Sequence, residues 1–169
     1  MNEATKRYIR VDHAGEYGAE RIYAGQLAVL GRGPKRDLLR HMLEQETVHK
    51  EKFEQLIAER LVRPTAMLPF WHVAGFALGA LTAALGEKAA MACTVAVEET
   101  IDAHYAAQRD ALGPEEAALK DTIEHFRQEE LEHRDIGLEN GAEQAPAYKL
   151  LSGLIRLGCK AAIRLSEAV

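Results

Sequence analysis

A repeated spacing of glutamate, tyrosine, glutamine and histidine constrains this chain more than any other feature of its sequence. In each half, a single Glu is followed by a Tyr seven residues later, by a Gln after three more, and then by a Glu-x-x-His pair. The first set is Glu16, Tyr23, Gln26, Glu46 and His49, and the second is Glu98, Tyr105, Gln108, Glu130 and His133. The single Glu precedes the paired Glu by 30 residues in one half and by 32 in the other. This spacing predicts two antiparallel helical hairpins that hold the repeated side chains at matching depth.

The Glu-x-x-His pairs point to metal binding. Residues three apart lie on one face of a helix, about 5–6 Å apart, so a carboxylate and an imidazole spaced this way can bind one cation together. Helical bundles that hold two iron or manganese ions use one Glu from each of two helices and a Glu-x-x-His pair from each of the other two. The predicted metal ligands are therefore Glu16, Glu46, His49, Glu98, Glu130 and His133.

A structural origin for these residues is the alternative. A chain with this much Glu and seven His contains roughly one Glu-x-x-His pair by chance. The matching positions of the two pairs favour metal binding. Both pairs fall in the second helix of a predicted hairpin, and the first helix of each hairpin carries one Glu on an apolar face. The seven-residue spacing to Tyr105 selects Glu98 over Glu99, although helix phase from one sequence leaves Glu99 open.

Residues near the predicted ligands have weaker assignments. Tyr23 and Tyr105 are predicted to be core residues with satisfied hydroxyl groups, and a hydrogen bond to a ligand is the alternative. Glu20 and Asp102 each lie four residues after a predicted ligand Glu, where an acid could accept the second N–H of a ligand histidine. Surface charge is the plainer interpretation of both.

Gly and Pro divide the chain into six predicted helices. The predicted ranges are 4–30, 35–61, 70–85, 87–112, 114–140 and a sixth from Pro146 almost to the end. Gly31 to Pro34 ends the first helix, and Gly113-Pro114 separates the fourth from the fifth. The sequence thus predicts an all-α protein, a ferritin-like four-helix bundle with an apolar crossover helix and a C-terminal amphipathic helix. Residues 1–169 are expected to form one domain.

Composition narrows the function classes. The net charge of −5 gives no reason to expect nucleic acid as a partner. Cys93 and Cys159 fit no Cys-x-x-Cys pattern, which argues for a reducing compartment and against a rubredoxin-like or zinc site. Carboxylates with two imidazoles favour iron first and manganese second, because copper(I) and structural zinc prefer thiolates.

The last segment is basic and amphipathic. Lys149, Arg156, Lys160 and Arg164 fall on one helical stripe, and the leucines lie away from it. This pattern is typical of a helix that rests on anionic lipid, but a bundle helix with a solvated face has the same pattern.

Four segments together resemble a known family. They are RVDHAGEYGAERIYAGQ at 10–26, QETVHKEKF at 45–53, ACTVAVEETIDAHYAAQ at 92–108 and EELEHRDIGLE at 129–139. They closely resemble the demethoxyubiquinone hydroxylases of ubiquinone biosynthesis, and the resemblance extends over almost the whole chain. It implies a carboxylate-bridged pair of Fe²⁺ ions on the same six ligands. It also implies a monooxygenase that uses O₂ and two electrons to hydroxylate the quinol ring of 5-demethoxyubiquinol. This polyprenylated intermediate is a 2-polyprenyl-3-methyl-6-methoxy-1,4-benzoquinol.

The resemblance also implies a setting. A polyprenylated quinol requires peripheral membrane contact, on the cytoplasmic face of a bacterial inner membrane or, for a eukaryotic chain, on the matrix side of the mitochondrial inner membrane. The first residues lack a mitochondrial presequence, so a bacterial enzyme or a trimmed chain is expected. A homo-oligomer or a ubiquinone-biosynthesis complex is left open. The alternative function is a bacterioferritin-like ferroxidase or iron-storage subunit; a manganese-catalase-like enzyme and a non-enzymatic membrane-associated bundle are weaker alternatives.

Overall fold

The computed structural model describes residues 2–169 and is built from six α-helices. They are α1 (Glu3–Leu30), α2 (Arg36–Arg60), α3 (Leu68–Ala84), α4 (Glu87–Ala111), α5 (Ala117–Glu139) and α6 (Tyr148–Ala168). Residues 2–169 contain no β-strand. The predicted all-α class is confirmed, and the arrangement is consistent with a ferritin-like bundle.

Local chemistry explains most helix boundaries. The side chain of Asn2 caps α1 by accepting a hydrogen bond from the backbone N–H of Thr5 at 2.8 Å. Helix α3 begins at Leu68 because Pro69 fits the first helical turn, where its missing N–H is not needed. The predicted fifth helix was wrong at its start, since Pro114–Glu116 forms a 3₁₀ turn before α5 begins. Helix α6 starts at Tyr148, two residues after Pro146.

The helices form two hairpins with two additional helices on one side. Helix α1 packs against α2, and α4 packs against α5. Helix α3 lies along α1, and α6 lies against α4 and α1. Two apolar clusters fill the bundle at different levels: one includes Tyr23, Met42 and Val95, and the other includes Phe53 and Tyr105. The repeated Glu and His residues lie on the helices between these two levels.

Helices α1 and α3 cross with their backbones in contact. A Cβ atom at Gly79 would lie 1.9 Å from the carbonyl oxygen of Ile22, and one at Gly25 would lie 2.2 Å from the carbonyl oxygen of Phe76. A Cβ at Gly75 would lie 2.8 Å from the carbonyl oxygen of Gly18. The glycines in this crossing therefore permit an approach that any side chain would prevent.

Candidate metal centre

The structure brings the six predicted ligand side chains together inside the bundle. Each is at most 1% exposed. Their oxygen and nitrogen atoms form two overlapping groups, and within each group the atoms lie within 4.8 Å of one another. One group is Glu16, Glu46, His49 and Glu130, and the other is Glu46, Glu98, Glu130 and His133. Their proximity agrees with the repeated spacing, while their role as metal ligands stays a prediction.

The choice between Glu98 and Glu99 is decided by orientation. Glu98 is buried in the cluster, whereas the side chain of Glu99 is 38% exposed and forms an ion pair with Arg156 at 2.8 Å. Helix α4 therefore presents Glu98 to the bundle interior, and Glu99 ties α4 to α6.

Each imidazole directs its Nδ1 atom at the carboxylates. The Nδ1 of His49 lies 3.1 Å from Glu130 and 3.4 Å from Glu16. The Nδ1 of His133 lies 3.1 Å from Glu46 and 3.4 Å from Glu130. Each histidine thus faces the paired Glu of the opposite hairpin, and Glu130 contacts both rings.

The two tyrosines hold the single glutamates. The Tyr23 hydroxyl donates to Glu98 at 2.6 Å, and the Tyr105 hydroxyl donates to Glu16. Both tyrosines are 1% exposed. Each single Glu is therefore oriented by the tyrosine of the other repeat, and the prediction of core tyrosines with satisfied hydroxyl groups is confirmed.

The outer edges of the histidines have partners that the sequence reasoning missed. The Nε2 of His49 lies 2.6 Å from Glu129, and the Nε2 of His133 lies 3.0 Å from Gln45. Glu20 and Asp102 do not accept these bonds, in line with the plainer interpretation as surface charges: their carboxylates pair with Lys50 at 2.6 Å and Arg127 at 2.7 Å, respectively. Gln45 and Glu129 each directly precede the paired Glu of their repeat, and this shared position was the available signal.

Burial and mutual repulsion dominate the electrostatics of the cluster. Burial raises the pKa of Glu16 and Glu98 well above the usual range and also raises that of Glu46, and the Glu130 charge raises all three further. Although burial opposes it, contacts with His133 and His49 lower the pKa of Glu130 to about 2.

The imidazoles show the opposite shift. Burial disfavours their charged form, yet contacts with Glu130 and Glu16 raise the pKa of His49 to about 12. Contacts with Glu130 and Glu46 likewise raise the pKa of His133 to about 11. In the absence of cations, protons on the imidazoles and on the carboxyl groups with raised pKa values thus offset the negative charge of the cluster.

The unsatisfied atoms of the cluster fit two cations. Among residues 2–169, no group donates a hydrogen bond to Glu16 Oε2, Glu46 Oε2, Glu98 Oε2 or Glu130 Oε2, all of which are buried. A buried carboxylate oxygen without a partner is costly, so four that converge in one place suit the binding of cations. Carboxylate oxygens with imidazole nitrogens suit iron or manganese. The residues present therefore fit a pair of divalent ions.

An apolar cavity of about 600 Å³ lies beside this centre. Helices α1, α3, α4 and α6 line it. Its inner wall includes Ile22 on α1 and Val97 and Ile101 on α4, the two helices that carry Glu16 and Glu98. An apolar ligand in this cavity would therefore rest against the helices that hold the candidate metal centre.

Comparison with known proteins identifies the family. Residues 3–166 match the family described as ubiquinone biosynthesis protein COQ7. A Rhodospirillum rubrum protein named 3-demethoxyubiquinol 3-hydroxylase is 63% identical over 164 residues, covering 96% of this chain and 77% of its own length. A Bos taurus protein named NADPH-dependent 3-demethoxyubiquinone 3-hydroxylase, mitochondrial, is 57% identical over 169 residues, covering 98% of this chain and 78% of its own length. A Saccharomyces cerevisiae protein named 5-demethoxyubiquinone hydroxylase, mitochondrial, is 40% identical over 180 residues, covering 96% of this chain and 77% of its own length. The resemblance predicted from the sequence is confirmed, and the chain belongs to the ubiquinone biosynthesis protein COQ7 family.

Proposed function

We propose that this chain is a 3-demethoxyubiquinol 3-hydroxylase, a di-iron monooxygenase that hydroxylates the ring of a polyprenylated quinol in ubiquinone biosynthesis. The observation that carries the proposal is the sharing of Glu46 and Glu130 between two buried Glu/His groups, because a single-metal site needs only one group. The names of the relatives support the same reaction. Nothing in the geometry favours an iron-storage subunit over this assignment.

The proposed centre holds two Fe²⁺ ions. Glu46 and Glu130, which belong to both groups, would contribute to both positions; Glu16 and His49 would hold one ion, and Glu98 and His133 would hold the other. When bound, such a pair of ions supplies the redox chemistry that activates O₂.

The chain's own side chains provide a rigid, dry site. Full burial of the carboxylates keeps bulk water away from the reacting centre. Tyr23 and Tyr105 fix the orientation of the two single glutamates through their hydroxyl groups. The common core of the six helices supports treating residues 1–169 as one di-iron domain.

The apolar cavity is the proposed substrate site. A quinol ring placed against Val97 and Ile101 would lie beside the helices that carry Glu16 and Glu98. A polyprenyl tail needs an apolar surface that leads away from the centre, and the α3 and α6 walls provide one.

The exposed apolar side chains of α3 and α6 support contact with a membrane. On α6, Leu150, Leu154 and Leu157 are 59–66% exposed. On α3, Phe70 and Val73 are 57% and 66% exposed. A bundle helix with an ordinary solvated face would bury its leucines, whereas a helix at the lipid interface exposes them.

Membrane contact is proposed to be peripheral. Among residues 2–169, none of the helices combines the length and apolarity needed to cross a bilayer. Lys149, Lys160 and Arg164 of α6 would complement anionic lipid, in keeping with the inner-membrane setting that the family resemblance implies. The eukaryotic relatives named above are mitochondrial.

We predict that the double substitution Leu154→Glu and Leu157→Glu weakens binding to vesicles. Burying leucine side chains in the lipid interface is favourable by about 0.8 kcal/mol per CH₂ group, so the partition constant should fall by roughly tenfold or more. Sedimentation with liposomes that contain anionic lipid measures it. Val48→Glu is the control, because Val48 is 59% exposed on α2, away from this surface. Equal losses in the two variants would argue against a lipid-binding role for α6.

Loss of the protein from its host tests the proposed reaction. Quinones extracted from cells that lack this chain should contain the demethoxy intermediate at the expense of ubiquinone, as measured by mass spectrometry. Return of the gene should restore ubiquinone. An unchanged quinone pool would rule out the proposed substrate.

The alternative storage function is tested on the iron-loaded protein. Size-exclusion chromatography gives the size of the assembly, and metal analysis of the eluted protein should give about two irons per chain. A large shell with far more iron per chain would indicate storage.

A further inference from the structure

A hydrogen-bonded chain joins the outer edges of the two histidines. The Nε2–H of His49 donates to Glu129 Oε2 at 2.6 Å, and the Nε2–H of His133 donates to Gln45 Oε1 at 3.0 Å. The amide of Gln45 donates to Glu129 Oε1 at 3.4 Å. The four groups thus link α2 to α5 across the rim of the metal centre.

The direction of these bonds fixes both rings. The carboxylate of Glu129 accepts from His49 and Gln45, which turns the Gln45 amide oxygen toward His133. Both imidazoles then carry a proton on Nε2 whenever Nδ1 binds a cation. The Nδ1 lone pairs consequently face the carboxylate cluster, which is the arrangement that a metal-binding histidine needs.

The two outer partners occupy the same position in the repeat but differ in charge. Gln45 and Glu129 each lie directly before the paired Glu of their helix. A carboxylate at both positions would place two like charges at hydrogen-bond distance across the α2–α5 interface, so one amide relieves this repulsion. The side chain of Glu129 is 25% exposed, so its carboxylate lies at the edge of the buried cluster.

We propose that Glu129 and Gln45 are positioning residues that make the two metal positions unequal, with the cation beside His49 bound more tightly than the cation beside His133. This inference rests on the two-metal centre of the proposed function. A carboxylate that accepts the outer N–H makes the imidazole a stronger electron donor than an amide does, and the shorter bond to Glu129 has the same consequence. The two metal positions have matching ligands from the two halves of the repeat, yet they differ in the group that accepts the outer N–H of the histidine.

Anaerobic titration of the metal-free protein with Fe²⁺ tests the inference. Wild type should bind two ions with unequal affinities, and ⁵⁷Fe²⁺ Mössbauer spectra should contain two quadrupole doublets of equal area. Glu129→Gln should weaken the tighter step by roughly tenfold to a hundredfold. Its two doublets should also move toward each other, because both histidines then donate to amides.

The exchange variant Gln45→Glu/Glu129→Gln separates positioning from folding. It keeps the charge of the rim and should restore one tight step and two distinct doublets, now with the tight position beside His133. Adding His133→Ala should then remove the tight step, whereas the same substitution in wild type should spare it. Glu132→Gln is the matched control on α5, because Glu132 is exposed and outside the cluster.

The outcomes distinguish failure of the two-metal centre from failure of the positioning role of Glu129. If wild type binds no Fe²⁺, the two-metal centre itself fails. If wild type binds two ions while Glu129→Gln keeps the affinities and doublets of the Glu132→Gln control, the centre stands and the positioning role of Glu129 is overturned. Failure of the exchange variant to move the tight step would likewise overturn it.

Discussion

Glu130→Ala should remove both metal ions and abolish ring hydroxylation. Glu130 belongs to both ligand groups and contacts both imidazoles, so its loss opens both metal positions at once. Substitution of residues that only hydrogen-bond to metal ligands already costs roughly 10–100-fold in metal affinity, so loss of a ligand common to both positions should cost more than ~100-fold. Iron content per chain after anaerobic reconstitution and product formation by mass spectrometry measure the two effects.

Two further variants control this prediction. Glu132→Ala on the exposed face of α5 should keep two irons and full activity. Glu98→Gln should lose mainly one iron, because Glu98 belongs to only one ligand group. Removing Glu130 also takes away one of the carboxylates that face each buried imidazole in the metal-free state, which should lower the free energy of unfolding. Helical content by circular dichroism therefore has to accompany the metal analysis. A folded Glu130→Ala protein with two irons and normal turnover would refute the assignment of Glu130 to both metal positions.

The sequence predicted the helices and the cluster because both depend on local spacing. Gly113-Pro114 and the Gly31 to Pro34 segment end helices wherever they occur, and a three-residue Glu-His separation holds on any helix. The repeat then supplied the relation between the hairpins, which a lone Glu-x-x-His pair could not have done. Even the phase of α4 followed from the repeat, since Glu98 and not Glu99 faces inward.

The remaining features depend on contacts between helices. Helical phase alone made Glu20 and Asp102 possible acceptors for the histidines. The observed acceptors, Gln45 and Glu129, each lie on the hairpin opposite the histidine that donates to them. The pattern of α6 was equally compatible with a lipid surface or a bundle face, and only its packed position shows that Leu154 is 59% exposed. Such information arises from the rotation and separation of helices, which no periodicity within one helix contains.

Gly79→Leu should destabilise the protein by on the order of 3 kcal/mol, because overpacking at a closed interface cannot be relieved without moving a backbone. Any Cβ at this position would lie 1.9 Å from the carbonyl oxygen of Ile22, whose helix also carries Glu16. Helix α3 would have to separate from α1, and the wall of the apolar cavity would move with it. Urea unfolding of the metal-free protein, followed by circular dichroism at 222 nm, measures the change in the free energy of unfolding.

The matched control is Gly153→Leu on α6. A Cβ at Gly153 meets no atom within 4 Å, so this substitution should gain helix propensity without a clash and raise the free energy of unfolding by up to about 1 kcal/mol. The two variants make the same chemical change inside a helix, and their effects on the free energy of unfolding are expected to have opposite signs.

Because α3 forms one wall of the cavity, Gly79→Leu should also lower hydroxylation at full iron occupancy. The quinol would lose a surface that holds it beside α1 and α4. If Gly79→Leu were as stable as Gly153→Leu, α3 could not be seated on α1 through a backbone contact, and the cavity between α3 and α6 would need another origin.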